Sequence, residues 1–486
     1  MRFDEHFLRG VVSEITIVKD KFPDDATFCV DTRALQPGDI FVALQGTQTD
    51  GHDFVVDALQ KGAAGVFIAE KKRSVLNNAG PDLLTDKLVC VFPDVLDALT
   101  KIASAWRAQF DYPIVAITGS VGKTSTKQLI ANILSTNGSN FFVSEGNQNT
   151  KIGLALNMLR LREQHEGGIF EVGISKRGEM AALVTMLKPT TALITGVGHS
   201  HMEGLGSLND IALEKRDVFK NFKEDSIGII NGDQPILASV GYPHPVIKFG
   251  SKTTNQIQAR KINIAEDHVR FVLKVYKEKF TVQLDKPHAG SIFNALAAVA
   301  MTHYLGVDNA VIVKAIQEPL VVASRFERCE LKNKKGVLIN DCYNANPESM
   351  KAALLALEKM ESEAQKIAVL GDMLELGVNS PFWHRQLGRF LRKVPSLRDV
   401  ILVGNHVEWT KKTVPLGVKA EHVQTWEDAV TLLESKLGDD NIVLIKGSNG
   451  MKLKGLVEHF AKQSKESQKT GQRTCSPQIS FSTRSS

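Results

Sequence analysis

The chain has 486 residues, of which 43% are hydrophobic and 23% charged, with 37 glycines and 16 prolines. This apolar content excludes a wholly disordered or collagen-like chain, and the length predicts about three domains. The formal net charge is +5, but residues 462–486, with five basic side chains and one acidic one, hold most of it. The remainder is nearly neutral, so we expect no nucleic-acid partner.

Several features of the sequence bear on where the protein works. No run of eighteen apolar residues is present, which argues against a membrane-spanning helix. The N-terminal sequence MRFDEHFLRG has two acidic residues and no apolar core, unlike a secretory signal. The five cysteines are scattered and lack CxxC spacing, which argues against a disulfide framework or a zinc site. We therefore expect a cytoplasmic protein. The sequence carries no signal of its oligomeric state, and a monomer is the default expectation.

Residues 1–110 are predicted to form the first domain. Short apolar runs at 41–44 and 65–68 alternate there with turn residues, and residues 95–106 carry apolar side chains at helical spacing. The Asp111–Tyr112–Pro113 sequence then interrupts the pattern, so we expect a new domain to begin at residue 111.

Residues 111–317 and 318–461 are each predicted to form an α/β domain with a largely parallel sheet. Apolar, β-branched runs typical of strands covered on both faces alternate with helical patterns in both. The predicted strands lie at 114–117, 168–172, 192–195, 227–230, 337–339, 367–370, 400–403 and 442–445. From residue 462 onward the chain is rich in Ser, Gln, Lys and Thr, which predicts a disordered tail.

A glycine-rich loop follows the first strand of the second domain and precedes a predicted helix. It comprises Thr118, Gly119, Ser120, Val121, Gly122, Lys123, Thr124 and Ser125. Glycines let the backbone wrap a phosphate, and a helix N-terminus supplies free N–H groups. Lys123 is placed to reach the β- and γ-phosphates, and Thr124 to ligate Mg²⁺. Ile117 stands where the strict phosphate-loop spacing has glycine, so by itself this shorter loop leaves ATPase motors, GTPase switches and kinases open.

Further motifs narrow the choice. They include PGDIFVALQGTQTDGHDFV from Pro37, EGNQNTKIG from Glu145, HSHMEGLGSLNDIALEK from His199, DCYNANPESM from Asp341, LGDMLELG from Leu370 and KGS from Lys446. With the glycine-rich loop, they resemble the Mur ligases, which use ATP to add amino acids to the peptidoglycan precursor. The resemblance covers about residues 30–455. It implies an N-terminal uridine-nucleotide domain, a central phosphate-loop ATPase-like domain and a C-terminal Rossmann-like domain.

The resemblance also implies the residues that would handle ATP and two Mg²⁺ ions. Glu171, at the end of a buried strand, would join Thr124 on one ion, a cation that prefers oxygen ligands. His201 would bind the second ion. Lys215, which is often carbamylated in the family, would orient that ion. Asn294 and Asp341 would contact the nucleotide, and Arg325 would reach its phosphates. The residues implied as catalytic are Lys123, His201, Lys215 and Arg325.

For the substrates, the resemblance points to the family member that adds D-alanyl-D-alanine to UDP-N-acetylmuramoyl-tripeptide. The DCYNANPESM and LGDMLELG segments are the most specific for it. The residues that match the uridine-nucleotide substrate are Thr32, Arg33, Thr47, Asp50, Gly51, His52, Asn147, Asn149 and Thr150. Those expected to place the dipeptide are Asn344, Asn346, Asp372 and Met373.

The sequence departs from the family in two places and leaves alternatives open. Thr150 and Ala155 stand where the family often has a second Asn and a later Pro, which affects the expected substrate contacts. Gly290–Ser291 stands where a His-Asn pair is usual, which affects the expected adenine contacts. A sibling ligase adding another amino acid and a folylpolyglutamate-synthase-like enzyme are rivals within the class. A nucleotide-binding scaffold without catalysis is a rival outside it. Retention of the matched phosphate-loop and metal residues argues against the scaffold.

Overall fold

The computed structural model describes residues 2–47, 49–265, 268–285, 289–332, 335–360 and 363–461. The predicted disordered tail, 462–486, lies outside the described residues. Over the described parts of the chain, no helix combines the length and apolar character needed to cross a membrane. The chain forms three α/β units, each built on its own sheet.

The first unit is a five-stranded sheet in the order β1-β5-β4-β3-β2, in which only β1 runs antiparallel to its neighbour. The strands are β1 Thr16–Asp20, β2 Thr27–Cys29, β3 Asp39–Val42, β4 Gly65–Ala69 and β5 Leu88–Phe92. The helices are α1 Glu5–Val11, α2 Val55–Gln60, α3 Val75–Leu83 and α4 Val95–Arg107. The α4 helix was predicted from its apolar spacing, and its apolar face is buried.

The first unit is packed tightly on the second. One continuous apolar cluster includes Phe67 of β4, Trp106 of α4 and Phe170 of the central sheet. The indole N–H of Trp106 donates to the carbonyl of Leu161 at 3.1 Å. Arg107 donates to the backbone carbonyls of Leu187 and Lys188, which fixes the end of α4 against the central unit.

The second unit has nine strands in the order β14-β13-β12-β11-β10-β9-β6-β8-β7. The strands are β6 Ile114–Thr118, β7 Phe141–Val143, β8 Gly167–Glu171, β9 Thr191–Ile194, β10 Ile227–Asn231, β11 Val246–Gly250, β12 Ile257–Ile264, β13 Val269–Val275 and β14 Glu278–Leu284. The helices are α5 Lys123–Thr136, α6 Lys151–Met158, α7 Glu179–Leu187, α8 Met202–Leu205, α9 Leu208–Arg216, α10 Pro235–Ala238, α11 Ala289–Tyr304 and α12 Asn309–Gln317. Strands β6 to β12 pair in parallel, whereas β12, β13 and β14 form an antiparallel extension.

The third unit has six strands in the order β15-β16-β20-β17-β18-β19, of which only the edge strand β15 is antiparallel to its neighbour. The strands are β15 Glu327–Glu330, β16 Lys335–Asn340, β17 Gln365–Gly371, β18 Leu397–Val403, β19 Lys419–Val423 and β20 Asp440–Lys446. The helices are α13 Pro347–Lys359, α14 Ser380–Phe390, α15 Glu408–Lys411, α16 Trp426–Lys436 and α17 Lys454–Phe460. The three-unit α/β architecture and the predicted parallel strands are thus confirmed.

Candidate active site

A cavity of about 660 Å³ lies between the second and third units. In open parallel sheets, ligands bind at the carboxyl ends of the strands, and this cavity begins at the ends of β6 and β8. The residues predicted from the sequence that line it are Ser120, Val121, Gly122, Lys123, Ser125, Asn147, Asn149, Thr150, Glu171, His201, Asn294, Arg325, Asp341, Asn344 and Asn346. The fold therefore brings most of the predicted ATP residues and part of the predicted substrate set to one place.

The glycine-rich loop connects β6 to α5 and is held on both sides. Gly122 has a φ of +88°, a backbone conformation that residues with a side chain rarely adopt, and a Cβ there would also collide with Oδ1 of Asn294. The hydroxyl of Thr195 donates to the carbonyl of Val121 at 2.6 Å. The hydroxyl of Ser120 donates to the carbonyl of Gly198 at 2.9 Å and accepts its N–H at the same distance. These contacts leave the start of α5, a site suited to anions, facing the cavity.

Two lysines lie at this end of the second unit, and Lys123 lines the cavity. The ammonium group of Lys123 donates to the carbonyl of Gly119 at 2.9 Å, and burial lowers its pKa. Lys215, on α9, is only 1% exposed, and its pKa is lowered well below the usual value by burial and then by the charge of Lys123. A nearby anion would favour the charged form of Lys123, whereas the larger shift at Lys215 favours the neutral amine.

Glu171 ends β8 and holds two other predicted residues. One carboxylate oxygen accepts the hydroxyl of Thr124 at 2.8 Å, and the other accepts the amide of Asn149 at 2.8 Å. The side chain is 1% exposed, so these hydrogen bonds offset much of the cost of burying its charge. The hydroxyl of Thr124 and the carboxylate of Glu171 thus lie side by side, with Glu171 lining the cavity, and oxygen atoms of this kind are the ligands that Mg²⁺ prefers.

The described residues contain no group of three His, Cys, Asp or Glu side chains that could hold a metal. The protein atoms fit Mg²⁺ nevertheless, because this ion commonly uses one or two protein oxygens together with phosphates and waters. His201 lines the cavity in a left-handed conformation, with φ +55°, and its ring contacts the carboxylate of Glu375 from the third unit.

Arg325 enters from the third unit and reaches the glycine-rich loop. Its guanidinium donates to the hydroxyl of Thr124 at 3.0 Å and stacks on the ring of Tyr343, 3.7 Å from the centroid. Burial lowers the pKa of Arg325, and its buried Nε has no hydrogen-bond partner among the described residues. Asp341 lies farther along the same wall, where its carboxylate contacts the ammonium of Lys446 at 2.8 Å.

The predicted dipeptide residues do not share one environment. Asn344 is exposed to the cavity, whereas Oδ1 of Asn346 accepts the N–H of Ser349 at 2.8 Å and caps α13. Asp372 and Met373 are buried behind the cavity wall and do not line it. The carboxylate of Asp372 accepts the backbone N–H groups of residues 405 and 407 at 2.9 and 2.7 Å, so it fixes the loop after β18.

The predicted uridine-nucleotide residues of the first unit, Thr32, Arg33, Thr47, Asp50, Gly51 and His52, do not line this cavity. Arg33 is exposed and pairs with Asp31, a hydrogen bond that lowers the pKa of Asp31 to about 2. His52 is buried: its Nδ1 contacts Asp50 at 2.6 Å and its Nε2 accepts the N–H of Ala69 at 3.0 Å. Both ring nitrogens of His52 are therefore occupied by the protein.

Sequence reasoning gave no role to three groups near the cavity. Lys127, one turn beyond Lys123 on α5, is fully buried and donates to the carbonyls of Ser144 and Gly146. Lys446 was noted only as part of a motif. Glu348 binds His199 across the two units. The four-residue spacing from Lys123 to Lys127 was a signal in the sequence, because it places both side chains on one helix face.

Comparisons with known proteins cover most of the chain. Residues 28–107 match the sequence model of the Mur ligase family catalytic domain, 117–302 that of the Mur ligase middle domain, and 324–449 that of the Mur ligase glutamate ligase domain. The UDP-N-acetylmuramoyl-tripeptide–D-alanyl-D-alanine ligase of Bacillus subtilis is 32% identical over 434 residues, covering 88% of this chain and 91% of that protein. The same-named protein of Rickettsia prowazekii is 31% identical over 439 residues, covering 88% and 94%.

Two solved structures are similar over nearly the whole chain. A crystal structure of MurF from Acinetobacter baumannii has a TM-score of 0.80 at 26% identity, covering 94% of this chain and 98% of that one. MurF ligase from Thermotoga maritima in complex with ADP has a TM-score of 0.74 at 27% identity, covering 89% and 96%.

Proposed function

The chain belongs to the Mur ligase family, and we propose that it joins D-alanyl-D-alanine to UDP-N-acetylmuramoyl-tripeptide with cleavage of ATP to ADP and phosphate. The contact that most supports this reaction is the meeting of Arg325, Thr124 and Glu171 at the glycine-rich loop. It brings a cation of the third unit to the point where the loop would hold the γ-phosphate. The product belongs to peptidoglycan precursor synthesis.

The reaction needs activation because a carboxylate is a poor electrophile. The tripeptide carboxylate attacks the γ-phosphorus of ATP, the bond to the ADP oxygen breaks, and an acyl phosphate forms. The free amine of D-alanyl-D-alanine then attacks the acyl carbon and loses a proton. The tetrahedral intermediate collapses with loss of phosphate, leaving the amide. Both steps crowd negative charge, so positioning and electrostatic stabilisation are the main tasks of the protein.

The residues around the cavity divide these tasks. Lys123 and Arg325 stabilise the transferring phosphoryl group, and Asn294 and Asp341 contact the nucleotide. The third unit covers the glycine-rich loop through Arg325, which helps to exclude water from the acyl phosphate. Asn147, Asn149 and Thr150 hold the muramoyl-peptide end, and Asn344 faces the incoming dipeptide. The first unit, through the residues at 32, 33, 47 and 50–52, binds the uridine nucleotide.

The oxygens of Thr124 and Glu171 would hold one Mg²⁺, and His201 and Lys215 would serve a second. Such ions neutralise phosphate charge and orient the oxygens that react. An ammonium has no lone pair, so Lys215 could not ligate a metal in its ordinary form. Its lowered pKa favours the neutral amine, which adds CO₂ and releases a proton to give an anionic carbamate. We propose this modification at Lys215, and a monomeric protein working in the cytoplasm.

The test is phosphate release from ATP by the purified protein with UDP-N-acetylmuramoyl-tripeptide and D-alanyl-D-alanine, omitting each in turn. Release that requires both substrates, together with a pentapeptide product, is the expected result. Release with the tripeptide and a different amine would replace the proposed acceptor with that of a sibling ligase. ATP binding without turnover, whatever the amine, would instead favour the scaffold.

A further inference from the structure

The loop after β9 contacts both the glycine-rich loop and the third unit. On one side, Gly198 exchanges two hydrogen bonds with Ser120 of the glycine-rich loop, each 2.9 Å long. On the other side, the next residue, His199, contacts the third unit. Its backbone N–H donates to one oxygen of Glu348 at 3.1 Å, and Nδ1 of its ring lies 2.5 Å from the other oxygen. The loop is therefore a direct bridge between the two units.

Two further contacts tighten this bridge. The ring of His199 lies 4.2 Å from that of Trp383 on α14, measured between centroids. A Cβ on Gly198 would lie only 2.9 Å from the Glu348 carboxylate, so a larger residue at position 198 would push that side chain away. The contact as it stands joins the carboxylate of Glu348 to the ring and the backbone N–H of His199, beside a glycine that leaves room for that carboxylate.

Glu348 stands in the first turn of α13, beside residues that line the cavity. Asn346 caps this helix, and Ser349, Ala352 and Ala353 face the cavity along it. A shift of the α13 N-terminus would move this wall, together with Asn344 just before it, relative to the glycine-rich loop. Within the loop after β9, Gly198 and His199 link this helix end to the glycine-rich loop, alongside the Arg325–Thr124 and His201–Glu375 contacts between the same two units.

We propose that His199 and Glu348 are positioning residues that hold the N-terminus of α13 in register with the glycine-rich loop. The dipeptide amine must meet an acyl phosphate formed at that loop, and a small misplacement of reacting groups is costly to rate. The catalytic part of this proposal rests on the proposed function, whereas the contact between the two units does not depend on it. The neighbouring pair of His201 and Glu375 crosses the same boundary but involves a predicted metal residue, so the test uses Glu348.

The experiment compares Glu348→Gln with a matched control, Glu434→Gln. Glu434 also contacts a histidine, His459 at 3.4 Å, but both lie within the third unit and away from the cavity. Glu348→Gln is expected to raise the KM for D-alanyl-D-alanine about fivefold, the size of one partly exposed hydrogen-bonded pair. The KM for ATP and the melting temperature should change little, and Glu434→Gln should leave all of these values unchanged.

A double-mutant cycle adds His199→Asn and the double variant. If the two residues act together, the double variant should be no worse than either single variant. Effects on kcat/KM that simply multiply, or a Glu348→Gln protein that matches the control, would overturn the proposal. Small-angle X-ray scattering with an ATP analogue provides a readout that needs no turnover: Glu348→Gln should have the larger radius of gyration. Equal radii would overturn the proposal even if the chain proved to use another amine.

Discussion

Replacing Lys127 with methionine tests how the glycine-rich helix and the substrate segment are joined. The Lys127 ammonium is completely buried on α5 and donates to the carbonyls of Ser144 at 2.6 Å and Gly146 at 2.9 Å. The hydroxyl of Ser144 in turn accepts the N–H of Glu171 at 3.1 Å. Lys127 therefore fixes the start of the segment that carries Asn147, Asn149 and Thr150.

The expected loss of stability follows from these contacts. Hydrogen bonds to a charged group contribute about 1.5–3 kcal/mol each, and methionine would leave both carbonyls without this donor. Burial lowers the pKa of Lys127, which shows that its charge is costly there, and this cost disappears in the variant. We expect a net destabilisation of about 2 kcal/mol, which lowers the melting temperature of a unit of this size by about 4–8 °C.

The assay combines calorimetry with steady-state kinetics. Lys127→Met should raise the KM for the uridine-nucleotide substrate about tenfold. Misplacing the substrate segment is expected to cost the substrate one hydrogen bond of about 1.4 kcal/mol, which corresponds to a tenfold change in affinity. The matched control is Lys366→Met, which removes another buried lysine that donates to a carbonyl, that of Glu358, far from the cavity. The control should lose stability but keep its kinetic constants. A Lys127→Met protein that melts earlier yet binds substrate normally would refute the reasoning.

Three further predictions test single groups. Lys123→Ala should lower ATP turnover by more than about 100-fold with little change in melting temperature, because it removes a cation from the transferring phosphate; normal turnover would reject the phosphate-loop assignment. Lys215 has a lowered pKa, so its amine is neutral at a pH where a free lysine is charged. Activity should therefore fall in CO₂-depleted buffer, return when bicarbonate is added and decline as the pH drops through that pKa. Activity that does not depend on CO₂ would exclude the carbamate. Asp372→Asn should destabilise the third unit, because its carboxylate accepts two backbone N–H groups; a selective rise in the KM for the dipeptide would show instead that Asp372 touches substrate.

The parallel strands were predictable because their residues are apolar without interruption. The run at 114–117 became β6, and those at 442–445 and 400–403 lie in β20 and β18. Strands β13 and β14 were missed because they alternate buried and exposed residues, as in VRFVLKV of β13. They lie at the antiparallel end of the sheet, where one face remains open to water, and a search for continuous apolar runs passes over such strands.

The site was predictable where its residues lie close together in the sequence. The glycine-rich loop and Glu171 stand at strand ends, which a reader of the sequence can locate. Asp372 also follows a strand end, yet its carboxylate is used by the backbone of the next loop. A strand-end Asp that binds substrate and one that fixes a loop look the same in sequence. The pair of His199 and Glu348 spans 149 residues, so only the folded chain brings it to notice.

The charge of the cavity suggests why these separate features belong to one function. Burial lowers the pKa of Lys123 and Arg325, so the charged form of each would be stabilised by an added anion. The carboxylates of Glu171 and Asp341 already have partners of their own, and Nε of Arg325 has none among the described residues. A polyphosphate would supply the missing negative charge and hydrogen-bond acceptors at once. Nucleotide binding should therefore stabilise the second and third units together, by about 2.7 kcal/mol at a hundred times the Kd. Stabilisation of the second unit alone would mean that Arg325 does not reach the bound phosphates.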